Sequence, residues 1–365
     1  MGFSNASRII PYNDEMSHLD ILIPFALPPP EMAPDLVRAL KMPALASLLS
    51  QAKHTTTPTL DEFSSSLPHE HWLAEQFGIA NRQQSHGSPP VSVASMQALG
   101  LTPDAGVWFM LQPVHIHVAR DHLVLTDLRQ LQLTEPESRA LFDVAAPFFQ
   151  EVGKPLVYGT AHSWFVRADD WAALSTSTPD ATCGHNIDIW MPKGSTAIQW
   201  RKLQNEIQMA WHGHPLNDAR EQIGLKPVNS IWLWGGTPTA MPVTPPRYQQ
   251  LFNPQDWMRA LTPGASTQHA QCNADELRRA APTNGLLTLD ALLEPGLASD
   301  WAEWIDRMHQ CERDWFEPML AAVKDGAIER LSLILTNSTS VATFILSRRA
   351  LRKFWVKPAL SRLLP

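Results

Sequence analysis

The stretch "LDILIPFAL", Leu19–Leu27, followed by prolines at positions 28–30, decides the fold class of this chain. Apart from Asp20 the run is apolar and does not alternate with polar residues, which is typical of a strand buried on both faces. The three prolines cannot continue a strand and end it in a rigid loop. The run therefore predicts the first strand of a sheet that is covered by helices.

Helical spacing and apolar runs alternate along the rest of the chain. Apolar residues recur at helical spacing in Met32–Ala52, Pro68–Ile79 and Asp300–Gly326. The segment Ile328–Ser347 predicts two strands around an Asn-Ser-Thr-Ser turn. This order predicts an α/β protein.

A different pattern occupies residues 106–182. Val107–Asp127 and Pro155–Asp169 each predict a hairpin, and Thr134–Gly153 begins with a capping-box pattern and predicts a helix. The Ser/Thr-rich segment Ser175–Gly184 is typical of a linker. We therefore predict a ββαββ module at 106–182, inserted into a discontinuous core domain of residues 1–105 and 183–365.

Hydrogen-bond donors are concentrated in "WRKLQNEIQMAWHGHPLNDAREQIGLKPVNSIWLWGG", Trp200–Gly236. A predicted helix, a polar turn and a buried strand follow one another here, and ligands commonly bind beyond the carboxyl ends of such strands. One interpretation is an anion pocket, since arginine and amide groups bind phosphate esters. The other is structural, because buried loops need polar side chains to pair their backbone groups. The candidate ligand-binding residues are Arg201, Asn205, Gln208, His212, His214, Asn217, Arg220 and Asn229.

The candidate metal ligands of the sequence are few. His115 and His117 lie on one face of a predicted strand and Asp121 lies across the turn, but no further ligand stands at an interpretable spacing. A polar sheet face explains the same residues. The three cysteines, Cys183, Cys272 and Cys311, form no CxxC motif and no disulfide framework. We expect no cofactor. A divalent Mn or Zn ion is expected only under the alternative that the protein is a metal-dependent enzyme.

Composition excludes several classes of function. The net charge is −7 with 18% charged residues, so we expect neither a nucleic-acid partner nor attachment to a membrane. No stretch is long and apolar enough for a membrane helix, and the first twenty residues lack the layout of an export signal. We therefore expect a cytoplasmic protein whose partner is a small anionic metabolite or another protein.

Two families resemble this chain. Trp200–Gly236, together with "QPVHIHVARDHLVL", resembles the bacterial RpfE-type regulatory protein family. More distantly, the pattern formed by His214, Pro215, Asn217, Arg220, Gly224, Pro227 and Asn229 resembles cofactor-independent phosphoglycerate mutases of the alkaline-phosphatase superfamily. The second resemblance implies an open, mainly parallel sheet with helices on both faces that carries an inserted α+β module.

The chain departs from the mutases where their chemistry takes place. The resemblance implies two metals held by an Asp-Gly after the first strand, a serine nucleophile, and late Asp and His residues. Here the first strand ends "LIPFALPPP", with no acid after Asp20, and the late segment reads "LTNSTSVATF". Two divalent ions need several carboxylate or imidazole ligands. We therefore expect a regulatory or interaction protein that binds a ligand without catalysis; the alternative is a metal-dependent phosphoglycerate mutase or phosphoesterase with rearranged ligands.

Overall fold

The structure is a computed structural model that describes residues 17–56, 59–79, 87–241, 247–261, 267–352 and 355–364. Residues 1–16, which bear on the expectation about export, lie outside the described residues. No helix in the described ranges is long and apolar enough to cross a membrane.

The strands form three sheets. Their bounds are β1 His18–Ile23, β2 Lys53–Thr56, β3 Val107–Val114, β4 Ile116–Ala119, β5 His122–Leu125, β6 Leu156–Thr160, β7 Ser163–Arg167, β8 Ser230–Pro238, β9 Gln250–Phe252, β10 Thr267–His269, β11 Asn284–Thr288, β12 Arg330–Thr336 and β13 Val341–Ser347. The main sheet has seven strands in the order β10-β9-β11-β1-β12-β13-β2. The strands from β10 to β12 in this order run parallel, and β13 and β2 add antiparallel pairs at one side.

Helices connect and cover these strands. Their bounds are α1 Ala33–Ala39, α2 Pro43–Gln51, α3 Pro68–Gln76, α4 Ser92–Ala98, α5 Glu135–Glu151, α6 Pro179–Thr182, α7 Ala197–Trp211, α8 Pro215–Gln222, α9 Ala274–Ala280, α10 Leu293–Ala298, α11 Trp301–Cys311 and α12 Glu317–Asp325. The predicted helix over Met32–Ala52 is two helices, because Pro43 cannot continue the first and instead begins the second.

Strand β1 is buried on both faces, as its composition predicts. Leu19, Ile21 and Ile23 pack into the larger core with side chains from α1, α2, α11 and α12. On the opposite face Leu22 packs against Leu73 of α3. The expected fold class is thus confirmed: a mixed, mostly parallel sheet has helices on both faces.

A second, four-stranded antiparallel sheet has the order β6-β7-β3-β8. Helices α5 and α7 cover one of its faces, and the other face joins the core of the main sheet. The predicted hairpin over Pro155–Asp169 is confirmed by the β6–β7 pair. In Val107–Asp127 only the short pair β4–β5 forms a hairpin, and β3 pairs with β7 and β8 instead.

Strand β8 differs from its predicted position. Residues 183–365 are predicted to belong to the core domain, but β8 pairs antiparallel with β3 and extends the sheet that the 106–182 segment begins. The apolar run is buried on both faces, as expected: Ile231 and Leu233 contact the helices, while Trp232 and Trp234 face the main body. Burial of both faces does not specify the sheet. That residues 106–182 form an independent folding unit stays a prediction.

Asp20, the one acid of β1, lies in a buried polar cluster. His18 Nε2 lies 2.7 Å from one Asp20 oxygen, and the Tyr248 hydroxyl donates to the other at 2.7 Å. Burial acts to raise the pKa of Asp20, but the hydrogen bond and charge of His18 and the hydrogen bond of Tyr248 lower it below its usual range. Burial and the charge of Asp20 raise the pKa of Tyr248 well above its usual value.

The lowered pKa of Asp20 predicts a contribution to acid stability. A carboxyl group with a depressed folded-state pKa stabilises the protein above its unfolded pKa, about 3.9, and this stabilisation is lost as the pH falls through the folded-state pKa. We expect Asp20→Asn to lower the free energy of unfolding by about 1–3 kcal/mol at neutral pH. The deficit should shrink as the pH falls below 4. Urea unfolding from pH 7 to pH 2 measures this loss of stability, and the same substitution at the exposed Asp35, Asp35→Asn, is the control. A loss of stability that does not change with pH would contradict this account.

Candidate functional site

Three of the predicted ligand residues hold the loop that precedes β8. Asn217 donates from Nδ2 to the carbonyls of Trp211 and Val228 and accepts the Val228 N–H at Oδ1. Asn229 forms a reciprocal pair with the backbone of Ile116, at 2.7 and 2.8 Å. These amides replace the backbone partners that an irregular buried segment lacks.

Arg220 is 1% exposed and its guanidinium is occupied within the protein. Its Nε donates to the Lys226 carbonyl at 2.9 Å, one terminal nitrogen pairs with Glu137 at 2.8 Å, and the other donates to the Leu131 carbonyl. Arg220 therefore connects α8 to α5 and to the turn before α5. Its observed contacts are structural.

The remaining predicted donors do not converge with these three. Gln208 is half-buried and donates to the Ser230 hydroxyl at 2.9 Å, and His214 Nδ1 accepts the Leu216 N–H at the start of α8. Arg201, Asn205 and His212 are exposed. Ligand binding by the predicted set stays a prediction. Sequence reasoning missed Gln204, which is buried and donates to Ser230 and to the Ile231 carbonyl.

The structure does not bring the alternative metal ligands together. The rings of His115 and His117 stack with centroids 5.7 Å apart. His115 Nδ1 lies 2.7 Å from the Pro227 carbonyl, and His117 Nδ1 lies 3.2 Å from the Thr126 hydroxyl. The side chain of Asp121 is 92% exposed and pairs with His122. The polar-face interpretation accounts for these contacts.

The carboxyl end of β1 is filled by an aromatic side chain. Phe25 is buried, and a Cβ placed on Gly296 would lie 2.5 Å from its ring. Its backbone is in the left-handed region, φ 57°, which is costly for a bulky residue. The Phe25 N–H donates to the Thr336 hydroxyl, and its carbonyl accepts from Trp304 Nε1 at 2.7 Å. At the end of β1 itself, Phe25 and Thr336 offer no carboxylate or imidazole ligand for the two divalent metals that the resemblance implies.

A cavity of about 1030 Å³ lies between the second sheet and the β9–β10 side of the main sheet. Side chains of β3, β7 and β8 form one wall, α4 contributes another, and the turn containing Arg259 lies opposite. This volume is at the upper end of the range of small-molecule sites. Within the described residues no ion pair reaches Arg259, whose Nε donates to the Pro254 carbonyl.

A buried cluster of ionisable groups lies at one end of this cavity. His69, Glu70 and Asp180 each place a ligand-type atom within 4.8 Å of the others, and no other group of three or more His, Cys, Asp or Glu residues meets this criterion in the described ranges. Helix α3 begins at Pro68, so His69 and Glu70 lie in its first turn. Asp180 lies in α6, in the segment predicted as a linker.

Hydrogen bonds fix both acids of the cluster. Glu70 Oε2 accepts the Leu67 N–H and the Thr178 hydroxyl, both at 2.7 Å. Asp180 accepts two hydrogen bonds from Arg129, at 2.9 and 3.2 Å. Arg129 also pairs with Asp127, at 2.8 Å. The positions of the acids are therefore set by α3, α6 and the turn after β5.

Burial decides the protonation of this cluster. Burial and the charge of Asp180 raise the pKa of Glu70 to about 8, and burial lowers the pKa of His69 to about 4. Burial acts to lower the pKa of Arg129, but the charge and hydrogen bonds of Asp180 and Asp127 raise it above its usual value. Burial thus favours the uncharged forms of His69 and Glu70, while the two neighbouring carboxylates favour the charged form of Arg129.

The sequence analysis did not select this cluster. "PHEH" at 68–71 stands at a predicted helix start, where an acid is explained by capping, and "TPD" at 178–180 is typical of a turn. More than one hundred residues separate the two segments, so no local spacing joins them. The one available signal is the pair His69-Glu70 itself.

Comparison with known proteins gives distant relatives. No family model matches this chain. It is 29% identical over 168 residues to a probable 2,3-bisphosphoglycerate-independent phosphoglycerate mutase of Geobacter sulfurreducens. The aligned residues are 44% of this chain and 40% of that protein. It is 21% identical over 204 residues to a 2,3-bisphosphoglycerate-independent phosphoglycerate mutase of Methanosarcina mazei, 55% of this chain and 49% of that protein. The chain thus spans less than half the length of these relatives.

Among solved structures, the PH0037 protein from Pyrococcus horikoshii is similar to this chain with a TM-score of 0.53 and 10% sequence identity. The similarity covers 91% of this chain and 87% of that protein. At this identity it shows a shared fold alone. The sequence matches show a distant similarity to cofactor-independent phosphoglycerate mutases.

The contacts of Arg220 predict a structural phenotype. Arg220→Ala removes three hydrogen bonds and leaves buried carbonyls unpaired, so we expect a loss of about 1–3 kcal/mol in the free energy of unfolding. Arg201 is exposed on α7, so Arg201→Ala is the matched control and should change the free energy of unfolding by less than about 0.5 kcal/mol. Urea unfolding measures both. Unchanged stability in Arg220→Ala would favour the ligand-binding role.

Proposed function

We propose that this protein is a non-catalytic, regulatory relative of the cofactor-independent phosphoglycerate mutases and that it binds a small anionic or phosphorylated metabolite. The observation that carries the proposal is the contrast between two places. Apolar packing of Phe25 fills the end of β1 where the resemblance implies metal ligands, while a cavity of about 1030 Å³ lies between the two sheets.

The chemistry of the cavity favours an anion carrying hydroxyl or phosphate oxygens. Arg259 lines it without an acidic partner among the described residues, so its charge is available to a ligand. The uncharged donors Gln97, Gln132 and Ser163 and the imidazole of His162 also line the cavity. Arg129, by contrast, is neutralised by Asp127 and Asp180. A ligand phosphate therefore belongs at the Arg259 side.

A second candidate function is a metal-dependent phosphoesterase with rearranged ligands. The cluster of His69, Glu70 and Asp180 beside the cavity favours it, because these residue types ligate catalytic divalent ions. The end of β1, where the resemblance implies metal ligands, is instead filled by Phe25. We therefore rank binding without turnover first.

Ligand screening tests the binding proposal. We expect a phosphorylated metabolite to raise the melting temperature, since a ligand at one hundred times its Kd adds about 2.7 kcal/mol of apparent stability. Arg259→Ala should weaken this shift, because it removes a cavity cation that has no acidic partner among the described residues, and Arg38→Ala, an exposed arginine outside the cavity lining, should retain it. Thermal melts with a panel of phosphorylated metabolites and nucleotides measure the effect. No shift from any compound, or an equal shift in Arg259→Ala, argues against this site.

Turnover separates the two candidate functions. We expect no interconversion of phosphoglycerates and no phosphate release when the protein is incubated with phosphoglycerate and Mn²⁺ or Zn²⁺, because the edge at Phe25 lacks metal ligands. Coupled mutase and phosphate-release assays measure this. Turnover that Asp180→Asn abolishes would establish the metalloenzyme instead.

A further inference from the structure

The cluster at the start of α3 has the composition of a metal site. His69 and Glu70 are 5% and 4% exposed, and Asp180 is half-buried at the cavity wall. One imidazole and two carboxylates form a donor set that Zn²⁺ and Mn²⁺ accept. The ligand-type atoms lie within 4.8 Å of one another. Bonds of about 2.0–2.2 Å to Zn²⁺ need them about 3.4 Å apart, which adjustments of roughly 1 Å achieve.

An independent observation concerns His69. Its Nδ1 is fully buried and has no hydrogen-bond partner among the residues that the structure describes. A buried nitrogen without a partner costs about 1–3 kcal/mol, so natural proteins rarely leave one. A bound cation gives an imidazole nitrogen a partner. The hydrogen bonds that hold Glu70 reach its Oε2, whereas Arg129 binds both oxygens of Asp180, so a metal would use a remaining lone pair of that carboxylate.

The surroundings supply the outer contacts that metal ligands usually have. Thr178 and the Leu67 N–H both bind Oε2 of Glu70, and Arg129 holds Asp180. Such hydrogen bonds orient ligating carboxylates. Glu70 and Asp180 also line the cavity, so a metal here would keep an open position toward it.

We propose that His69, Glu70 and Asp180 bind one divalent transition-metal ion at the end of the cavity. The site differs from the positions that the mutase resemblance implies, after β1 and in the segment after β12. It also does not depend on the proposed function, since a metal can bind without any metabolite at Arg259.

Metal titration of the full chain tests this site. After dialysis against EDTA, calorimetry with Zn²⁺ should give one ion per chain, with Mn²⁺ weaker, as the usual order of affinities requires. His69→Gln and Asp180→Asn should each weaken Zn²⁺ binding at least tenfold. His71→Gln is the matched control: His71 lies on the same helix, its side chain is 42% exposed, and it pairs with Glu75. It should leave the affinity unchanged.

Other results would overturn the proposal. The proposal is wrong if the wild type binds no stoichiometric Zn²⁺. It is also wrong if both cluster variants fold and keep the wild-type affinity, or if only His71→Gln loses binding. If the cluster variants do not fold by circular dichroism, wild-type crystals soaked in ZnCl₂ decide the question. An anomalous peak in contact with His69, Glu70 and Asp180 supports the site, and its absence there rejects it. Neither result depends on phosphoglycerate turnover or on a ligand at Arg259.

Discussion

The pairing of β1 with a parallel neighbour on each side is the constraint on which the rest of the structure depends. β11 and β12 flank it in register, so three segments leave the sheet at the same edge. In an open α/β sheet that edge is the usual location of a site. Here Phe25 fills the exit of β1, and its left-handed backbone is fixed by Thr336 and Trp304. The position at which this edge could hold metal ligands is instead occupied by the buried side chain of Phe25.

The second sheet moves the candidate site away from this edge. Because α5 and α7 cover one face of β3 and β8, the other face must pack against the main body. The packing is incomplete, and the cavity is the space that remains. Its two ends differ in charge: Arg259 lies on one wall, and the acids around Arg129 lie near α3. The metabolite and the divalent cation that we propose would therefore occupy separate places in it.

Polar side chains serve two different purposes in this chain. Asn217, Arg220 and Asn229 bond mainly to backbone groups, which stabilises the connection from α7 to β8. Glu70 and Asp180 instead retain contact with the cavity. The distinction is one of geometry, since both sets are buried or half-buried and rich in hydrogen bonds. A donor-rich stretch of sequence is thus as consistent with a backbone clamp as with a ligand pocket.

The sequence by itself determined the α/β class, the strand character of β1, the helix α3, the β6–β7 hairpin and the β12–β13 pair, because periodicity, proline and capping residues act locally. It also predicts, from the resemblance to the mutases, that the segments after the first strand and around "LTNSTSVATF" lack their metal ligands. Only the tertiary structure decided that β8 joins β3, because an apolar run reports burial and not its partner strand. Only the tertiary structure brought Asp180 to His69 and Glu70, because more than one hundred residues separate them and long-range packing alone sets that distance.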